Sequence, residues 1–458
     1  MSQGPDGEAL TRAEERLAAA LGRENATGAL AADFAQDQAN GDSPTLNALF
    51  ELALERNSDI ANAAQELNRA DVARMNAIYG YLPQLSASAT YSELEQEVVQ
   101  TDNEVFAQGT ANYPVTNLRV ELTQPIFNLS RIFNIQLQNT ARTVAEVEYI
   151  AAVQRATFDT FETYVTAAQS KAKIRSLRQR MSLIGRQISR EGALTDIGLG
   201  TETLRNSYAA ERASLAAEEA IETTRLAAAL ADLSFLTGSV VADVAPLSVP
   251  SGVLRSERGT SVEAGISAAE DNNPALLATA ISVVEAELSR KQAIAADFAP
   301  VLDAFASYED ETREGSRFGG GSQTVDTTYG VRLTIPIFNA RGQGYQAALE
   351  SVDLRSAALE YFAIRRQLRA EIASTYARMS ELSTAIGQSS AAASRASSNV
   401  TIEQDRLESG ESVEVAVVSR QLAQSTARET LEFQRLEYLK AWGRYQFLTG
   451  ASLNVDGL

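Results

Sequence analysis

Histidine and cysteine are absent from this chain of 458 residues, so any chemistry would rest on carboxylates, lysines, tyrosines or serines. That excludes disulfides, thiol catalysis, zinc sites with Cys or His ligands, and Ser-His-Asp triads. Two carboxylates, Asp303 and Glu309, lie on a segment of alternating apolar and polar residues, without a nearby phosphate-binding loop or metal-ligand set. We therefore expect no catalytic residue, no metal and no cofactor, and the chain is predicted not to be an enzyme.

The net charge is strongly negative, since 40 basic and 59 acidic residues give −19. Such a surface argues against a nucleic-acid partner, because phosphate binding is driven by Lys and Arg. No stretch reaches the ~18–20 apolar residues of a transmembrane helix. The first ten residues show neither a basic nor an apolar region of a secretory signal. The sequence leaves open whether the protein is cytosolic or whether a signal was removed or missed.

An internal duplication is the strongest feature of the sequence. Three motifs occur twice in the same order, at offsets of 217, 211 and 212 residues: Pro83–Tyr91 and Pro300–Tyr308, Pro125–Asn128 and Pro336–Asn339, and Ser234–Gly238 and Gln446–Gly450. A unit of about 212 residues is far longer than the repeats of solenoids. The chain is therefore predicted to contain two copies of one large unit.

The duplication predicts five segments along the chain. They are an N-terminal extension (1–44), repeat one (45–238), a linker (239–260), repeat two (261–450) and a C-terminal tail (451–458). Each repeat is expected to contain a helical stretch, a strand hairpin (83–127 and 300–338) and a long helix pair (128–238 and 339–450). Pro246, Pro250 and Gly252 mark the linker as the joint.

Two strands are predicted in each repeat from a period-two alternation of apolar and polar residues. Polar loops are expected between them, over Glu93–Thr116 and Asp310–Thr328. Pro125 and Pro336 are expected to end the second strands, because proline cannot donate to a strand ladder but fits the first turn of a helix. The predicted transitions from strand to helix are Pro125, Phe127, Pro336 and Phe338.

Helical spacing predicts the remaining elements. The first helical stretches, 45–81 and 261–298, are expected to break at Asn57 and Asn273. From Asn128 to Gly198 the pattern stays helical for 70 residues, roughly 105 Å at 1.5 Å per residue, which is typical of a coiled coil. Return helices are predicted at Leu204–Leu236 and Val415–Leu448.

The predicted fold is therefore mainly α with a small β part. Four strands are too few to close a barrel, and an open sheet edge is costly in lipid. Three chains would supply twelve strands and continue the barrel as a long antiparallel coiled-coil tube. The pattern fits equally well a small soluble sheet that caps a coiled-coil rod, because alternation over ~10 residues is a weak signal for membrane strands.

The duplicated motifs, with the glycine-containing helical turns at Gly198 and Gly410, resemble the TolC-type outer-membrane efflux protein family over roughly residues 45–450. The resemblance implies a homotrimer in the outer membrane of a Gram-negative bacterium, with a twelve-stranded barrel, a periplasmic helical tunnel, and an equatorial collar from residues 1–43, 239–260 and 451–458. It also implies passive export of drugs, toxins or proteins together with a periplasmic adaptor protein and an inner-membrane pump. The lipidated N-terminal cysteine of many members is missing here.

The resemblance also suggests two sets of site residues. The adaptor-docking tips would be Gly198, Leu199, Gly200, Thr201, Gly410, Ser412 and Val413. In the family an acidic pair often forms a periplasmic gate, but by spacing those positions fall on Ala416 and Ser419. Glu411 and Glu414 are the nearest carboxylates, and the hypothesis is that they form the constriction. A solvated helix end explains them equally well.

A second function from a different class remains open at this stage: a soluble coiled-coil scaffold or a periplasmic adaptor protein. The surroundings of the strand face distinguish this function from a channel. A channel requires Leu85, Val120, Val331 and their neighbours on the same face to contact lipid or detergent. Five basic residues could steer an anionic cargo, but a solvated helix face paired with acidic neighbours is the favoured interpretation. They are Lys171, Lys173, Arg175, Arg178 and Arg180. The sequence does not distinguish a small-molecule cargo from a protein cargo.

Overall fold

The computed structural model describes residues 43–99, 109–247, 249, 253–254, 261–315, 320–337, 344–451 and 453. The first half contains α1 (Leu46–Arg56), α2 (Ser58–Tyr79), β1 (Gln84–Val98), β2 (Gly109–Asn128), α3 (Leu129–Asp196) and α4 (Glu202–Thr237). The second half contains α5 (Val262–Asn272), α6 (Pro274–Phe298), β3 (Val301–Arg313), β4 (Ser322–Thr334), α7 (Tyr345–Glu408) and α8 (Glu414–Leu448). The same six elements thus occur twice in the same order.

In space the chain divides into two compact units, which cut across the repeats. One unit is helical and contains the described residues of 1–64, 149–274 and 365–458. The other contains the sheet and the helix segments next to it, residues 65–148 and 275–364. The division into two repeats with a linker and terminal segments stays a prediction.

Asn57 explains the break between α1 and α2 in the helical unit. Its side-chain Nδ2 donates to the carbonyl of Leu236 at 3.0 Å, and its Oδ1 accepts from the backbone N–H of Asp59 and Ile60. The residue is buried, so this one amide provides partners for backbone N–H groups at the start of α2 and for a backbone carbonyl at the end of α4. The predicted break is confirmed.

Asn273 repeats this arrangement between α5 and α6. Its side-chain Nδ2 donates to the carbonyl of Leu448 at 3.0 Å, at the end of α8. The duplicated Phe-Leu-Thr-Gly motif places a glycine beside each break: a Cβ on Gly450 would lie 2.3 Å from the carbonyl oxygen of Asn272, and one on Gly238 would lie 3.0 Å from the Cβ of Arg56. The motif therefore marks where a return helix ends against the break of its own repeat.

The four strands form one antiparallel sheet with the order β1-β2-β3-β4. The strands are longer than the sequence predicts. Pairing between β1 and β2 continues to Val98 and Gly109, and pairing between β3 and β4 continues to Arg313 and Ser322. The predicted loops 93–116 and 310–328 were therefore drawn too wide. The polar side chains there occupy paired strand positions, which hydrophobic alternation does not detect.

Pro125 does not end its strand. β2 continues to Asn128, with a bulge between Pro125 and Phe127 that accommodates the residue without an N–H. Asn128 then caps α3, because its Oδ1 accepts from the N–H of Arg131 at 3.1 Å. In repeat two, β4 ends at Thr334 and α7 begins at Tyr345, so Pro336 lies outside both elements. Phe338 is not among the described residues.

The core of the helical unit is aromatic and aliphatic. Phe161, Tyr164 and Tyr438 are fully buried, and the rings of Phe161 and Trp442 meet edge-on with centroids 6.4 Å apart. A second cluster of Leu177, Ile184 and Leu215 joins α3 to α4. In the described part of the chain, the helices carry no apolar stretch long enough to cross a membrane.

Candidate functional site

The strand register places the apolar positions of all four strands on one face of the sheet. Leu85 pairs with Leu122, Ala87 with Val120 and Ala89 with Leu118. Val120 pairs in turn with Tyr308, and on β4 the face continues through Tyr329, Val331 and Leu333. Directly paired residues share a face, so one hydrophobic surface covers the whole width of the sheet.

None of the described residues of the chain covers this face. Leu85 and Val331 are each 72% exposed, and Tyr329 is 82% exposed. Tyr91 and Tyr308 are the last apolar residues before acidic ones on the same face, since Glu93 and Asp310 follow two positions later. From Leu85 to Tyr91 the band extends for about 20 Å at the usual strand rise. The alternation of the band and its border of tyrosines are of the kind found on membrane-facing strands.

The opposite face is polar. Arg119 lies 3.3 Å from Glu121 and 3.8 Å from Glu309, and Asn117 also donates to Glu309 at 2.5 Å. One aromatic ring interrupts this surface: Phe305 packs over Gly330, and the guanidinium carbon of Arg332 lies 4.9 Å from the ring centroid. Side chains of this kind suit contact with water rather than with lipid.

Both outer strands have an open edge within a single chain. Among the described residues, β1 pairs only with β2 and β4 pairs only with β3. Since β1 has 15 residues and β4 has 13, each edge carries many backbone N–H and C=O groups that need partners. An apolar face with two open edges is incomplete as a single copy.

The first predicted tip joins α3 to α4 in a tight turn. Gly198 has φ +77°, a conformation that suits glycine, and the N–H groups of Leu199 and Gly200 both donate to the carbonyl of Leu194. Thr201 is the N-cap of α4. Its own N–H donates to Glu191 Oε1 at 2.7 Å, so a carboxylate of α3 holds the end of the turn.

The second predicted tip joins α7 to α8 in the same way. Gly410 also has φ +77°, and the N–H of Glu411 donates to the carbonyl of Arg406 at 2.8 Å. Ser412 donates its hydroxyl to Glu403 Oε1. The cap residue of α8 is Val413, which offers no side-chain hydrogen bond.

The two tips differ in surface chemistry. Both tips expose carboxylates, Asp196 and Glu202 on the first and Glu411 and Glu414 on the second. The first tip also exposes the large aliphatic side chains of Ile197 (68%) and Leu199 (76%), whereas the second exposes the smaller Val413 (58%). Arg190 Nη1 lies 3.6 Å from Glu414 Oε2, so the end of α3 and the start of α8 are neighbours. The adaptor-docking role of these residues stays a prediction, which two adjacent and exposed turns support.

Of the predicted gate residues, Glu411 lies in the turn before α8, and Glu414, Ala416 and Ser419 lie on its first turns. Glu411 and Ser419 are exposed and Ala416 is partly buried. Glu414 faces Arg190, so its charge is partly balanced within one chain. The hypothesis of an acidic constriction at Glu411 and Glu414 therefore stays a prediction.

All five basic residues of the group on α3 have acidic partners, which confirms the favoured interpretation. Arg178 lies 2.6 Å from Glu219, and Arg175 lies 3.3 Å from Glu432. The remaining pairs are Lys171 with Asp243, Lys173 with Glu218 and Glu429, and Arg180 with Glu429. The group holds neighbouring elements to α3 rather than forming an unpaired cationic surface.

Lys171 anchors the linker segment to α3. Its Nζ donates to both carboxylate oxygens of Asp243 and to the carbonyl of Val244, and Ser43 donates to Asp243 at 2.7 Å. Tyr164 adds a bond from its hydroxyl to the carbonyl of Ala245. Partial burial would raise the pKa of Asp243, but hydrogen bonds from Lys171, Ser43 and the backbone hold that pKa below its ordinary value. The linker is thus held to α3, and Ser43, at the start of the described chain, is held to the linker.

Sequence reasoning missed the two carboxylates that hold the tips. Glu191 and Glu403 are 7% and 8% exposed, which is rare for glutamate. The signal that could have found them was available: they differ by 403 − 191 = 212 residues, the offset of the repeat, and each precedes its tip glycine by seven residues.

Comparison with known proteins agrees with these features. The model of the family described as "Outer membrane efflux protein" matches residues 265–451. The outer membrane protein TolC of Escherichia coli K12 is 24% identical over 298 residues, which cover 63% of this chain and 56% of TolC. The chain thus spans little more than half the length of this curated relative.

Solved structures share the fold over most of the chain. The outer-membrane channel CmeC of Campylobacter jejuni aligns with a TM-score of 0.69 at 15% identity, over 88% of this chain and 85% of CmeC. VceC of Vibrio cholerae aligns with a TM-score of 0.69 at 16% identity, over 89% and 97% of the two chains. The resemblance seen in the duplicated motifs is confirmed in sequence and in fold.

Proposed function

We propose that this chain, which resembles the outer membrane efflux proteins in sequence and fold, is the outer-membrane channel of a tripartite efflux or type I secretion system. It conducts drugs or proteins passively from the periplasm to the outside. It acts in the outer membrane of a Gram-negative bacterium, with a large periplasmic part. It does so with a periplasmic adaptor protein and an inner-membrane pump.

The sheet carries this proposal. A four-stranded sheet with an apolar band across one face and two open edges needs lipid on that band and further strands at its edges. Three chains supply twelve strands, which close a barrel and leave the polar face with Arg119, Glu309 and Arg332 toward water. A soluble scaffold or adaptor would have to cover residues such as Leu85 and Val331 with protein.

The helical unit supplies the remaining parts. The two turns at Gly198 and Gly410 form the docking surface for the adaptor, and their exposed apolar and acidic side chains support that role. Glu411 and Glu414 are the carboxylates of the periplasmic entrance, with Ala416 and Ser419 further along the first two turns of α8. The linker segment anchored by Lys171 and Asp243 belongs to the equatorial collar.

The test combines location, assembly and conductance. The native protein should fractionate with outer membranes, migrate as a trimer in mild detergent, and form water-filled conducting pores in planar bilayers. A fully soluble native protein, or a compact monomer without conductance, would refute the channel. The soluble protein would favour the coiled-coil scaffold instead.

A further inference from the structure

Two buried carboxylates occupy equivalent positions in the two repeats of the helical unit. Glu191 lies near the end of α3 and Glu403 near the end of α7, and both are more than nine-tenths buried. Burying a carboxylate is costly unless donors surround it. Neither residue belongs to the proposed gate or to the docking surface, so the burial of these two carboxylates needs another explanation.

Each carboxylate accepts a hydrogen bond from the far side of the turn that follows it. Glu191 accepts from the backbone N–H of Thr201, ten residues later. Glu403 accepts from the hydroxyl of Ser412, nine residues later, and its Oε2 lies 3.8 Å from the Nε of Arg420 on α8. The donors differ in kind, but both bonds close the turn onto the helix that precedes it.

Backbone hydrogen bonds close the first part of each turn, from Leu199 and Gly200 to Leu194 in the first tip and from Glu411 to Arg406 in the second. The two carboxylates hold the residues that follow, Thr201 and Ser412. In the second tip, Val413 caps α8 without a side-chain hydrogen bond. In the first tip, Gly200 approaches so closely that a Cβ would lie 2.6 Å from the backbone N of Thr195. Glu191 holds the residue that follows this close-packed glycine, because it accepts from the N–H of Thr201 at 2.7 Å.

We propose that Glu191 and Glu403 are positioning residues that pre-form the two tips for docking. A partner that meets a pre-formed turn does not have to order it, and the saved conformational entropy appears as affinity. The role in docking depends on the proposed function, whereas the effect on the turns does not.

Hydrogen exchange on the detergent-solubilised full-length protein tests the effect on the turns. Glu191→Ala should accelerate exchange at Leu199 and Gly200, and Glu403→Ala at Gly410 and Glu411, by about tenfold or more, because a bond to a charged group is lost. The matched controls are Asp196→Ala and Glu408→Ala, exposed carboxylates at the last residue of α3 and α7. Equal exchange in the variants and the controls would overturn the proposal.

Two further variants guard against a general folding defect. Glu191→Gln keeps an oxygen that can accept from Thr201 but loses the charge, so its exchange should lie between that of the wild type and that of Glu191→Ala. Ser412→Ala removes the bond at the second tip and keeps the carboxylate of Glu403 with Arg420 beside it, and should accelerate Gly410 and Glu411 as Glu403→Ala does. Slow exchange in Ser412→Ala would contradict the proposal for the second tip.

Export in the native host tests the role in docking. The readout is the cargo whose export a deletion strain loses, measured at equal amounts of channel in the outer membrane. Glu191→Ala and Glu403→Ala should lower export about tenfold, as expected from one lost charge-assisted bond, while the two controls restore it fully. Unchanged export despite faster exchange would overturn the docking role. A deletion strain that loses no export would refute the proposed function and leave the exchange result intact.

Discussion

The side-chain amide of Asn57 donates to the carbonyl of Leu236, so the start of repeat one is tied to the end of the same repeat. The bond joins residues 179 positions apart, and Asn57 is 4% exposed. An equivalent bond joins Asn273 to Leu448. Each repeat is therefore closed by one buried amide.

Asn57→Ala should lower the free energy of unfolding by about 2 kcal/mol, since it removes a helix cap and leaves the carbonyl of Leu236 without this donor. Asn57→Ser keeps a capping oxygen but cannot reach Leu236, so about half of the loss should return. Denaturation in detergent followed by circular dichroism measures both. Equal stabilities of the two variants would show that the cap contributes nothing.

Gly450→Ala should be far more damaging than Gly410→Ala. Both residues have similar positive φ angles of +73° and +77°, for which an alanine costs about 1 kcal/mol. A Cβ added to Gly450 would lie only 2.3 Å from the carbonyl oxygen of Asn272, whereas a Cβ added to Gly410 would meet no atom within 4 Å. The melting temperatures of the two variants measure the difference, and a comparable loss in both would contradict the steric argument.

The link between Lys171 and Asp243 should weaken in acid. The folded pKa of Asp243 lies below its ordinary value, so the carboxylate stabilises the fold above the ordinary pKa of about 3.9, and this contribution is lost as the pH falls through the folded pKa. Asp243→Asn should therefore lower the melting temperature at neutral pH, and the gap to the wild type should shrink toward about pH 3. A gap that does not depend on pH would show that the charge is not responsible.

An arginine on the apolar strand face should prevent membrane assembly. Val331→Arg places a charge where lipid contact is proposed, at a cost of about 2–4 kcal/mol near the middle of the bilayer. Thr328→Arg is the matched control, because Thr328 pairs with Ser307 on the polar face of β3 and β4. The amount of trimer in outer membranes measures the effect. Equal loss in both variants would contradict the assignment of the faces.

Removing Glu414 should reduce the preference of the pore for cations. Glu414→Ala deletes a carboxylate at the proposed entrance and leaves Arg190 without this partner, so both changes act in the same direction. Glu51→Ala on α1 makes the same change in net charge as a control. Reversal potentials in planar bilayers under a salt gradient report the selectivity, and an unchanged potential in Glu414→Ala would count against the gate.

Alternation and helical spacing predicted the order of elements, because both periods follow directly from backbone geometry. They also predicted the apolar face, since residues such as Leu85 and Leu122 recur at every second position. They did not predict the full length of the strands. Glu95 and Asn112 pair across the sheet, but nothing in a polar stretch distinguishes a solvated strand from a loop.

The role of the two tip carboxylates was not predicted for a different reason. A glutamate on a long helix is usually solvated, so the sequence gives no reason to single out Glu191 or Glu403 until the turn places a donor over each of them. The offset between the repeats relates Glu191 to Glu403, but this becomes visible only when polar positions are compared between the repeats as well as the motifs. Close contacts such as that of Gly450 with Asn272 are likewise visible only in three dimensions.

The unlike surfaces of the two turns have a consequence for stoichiometry. The proposed trimer would carry six such ends, three with the exposed Leu199 and three with Glu411 and Val413. A partner present in three copies can select one kind and ignore the other. A partner present in six copies must tolerate both, so its binding sites should fall into a tight class and a weak class of equal number.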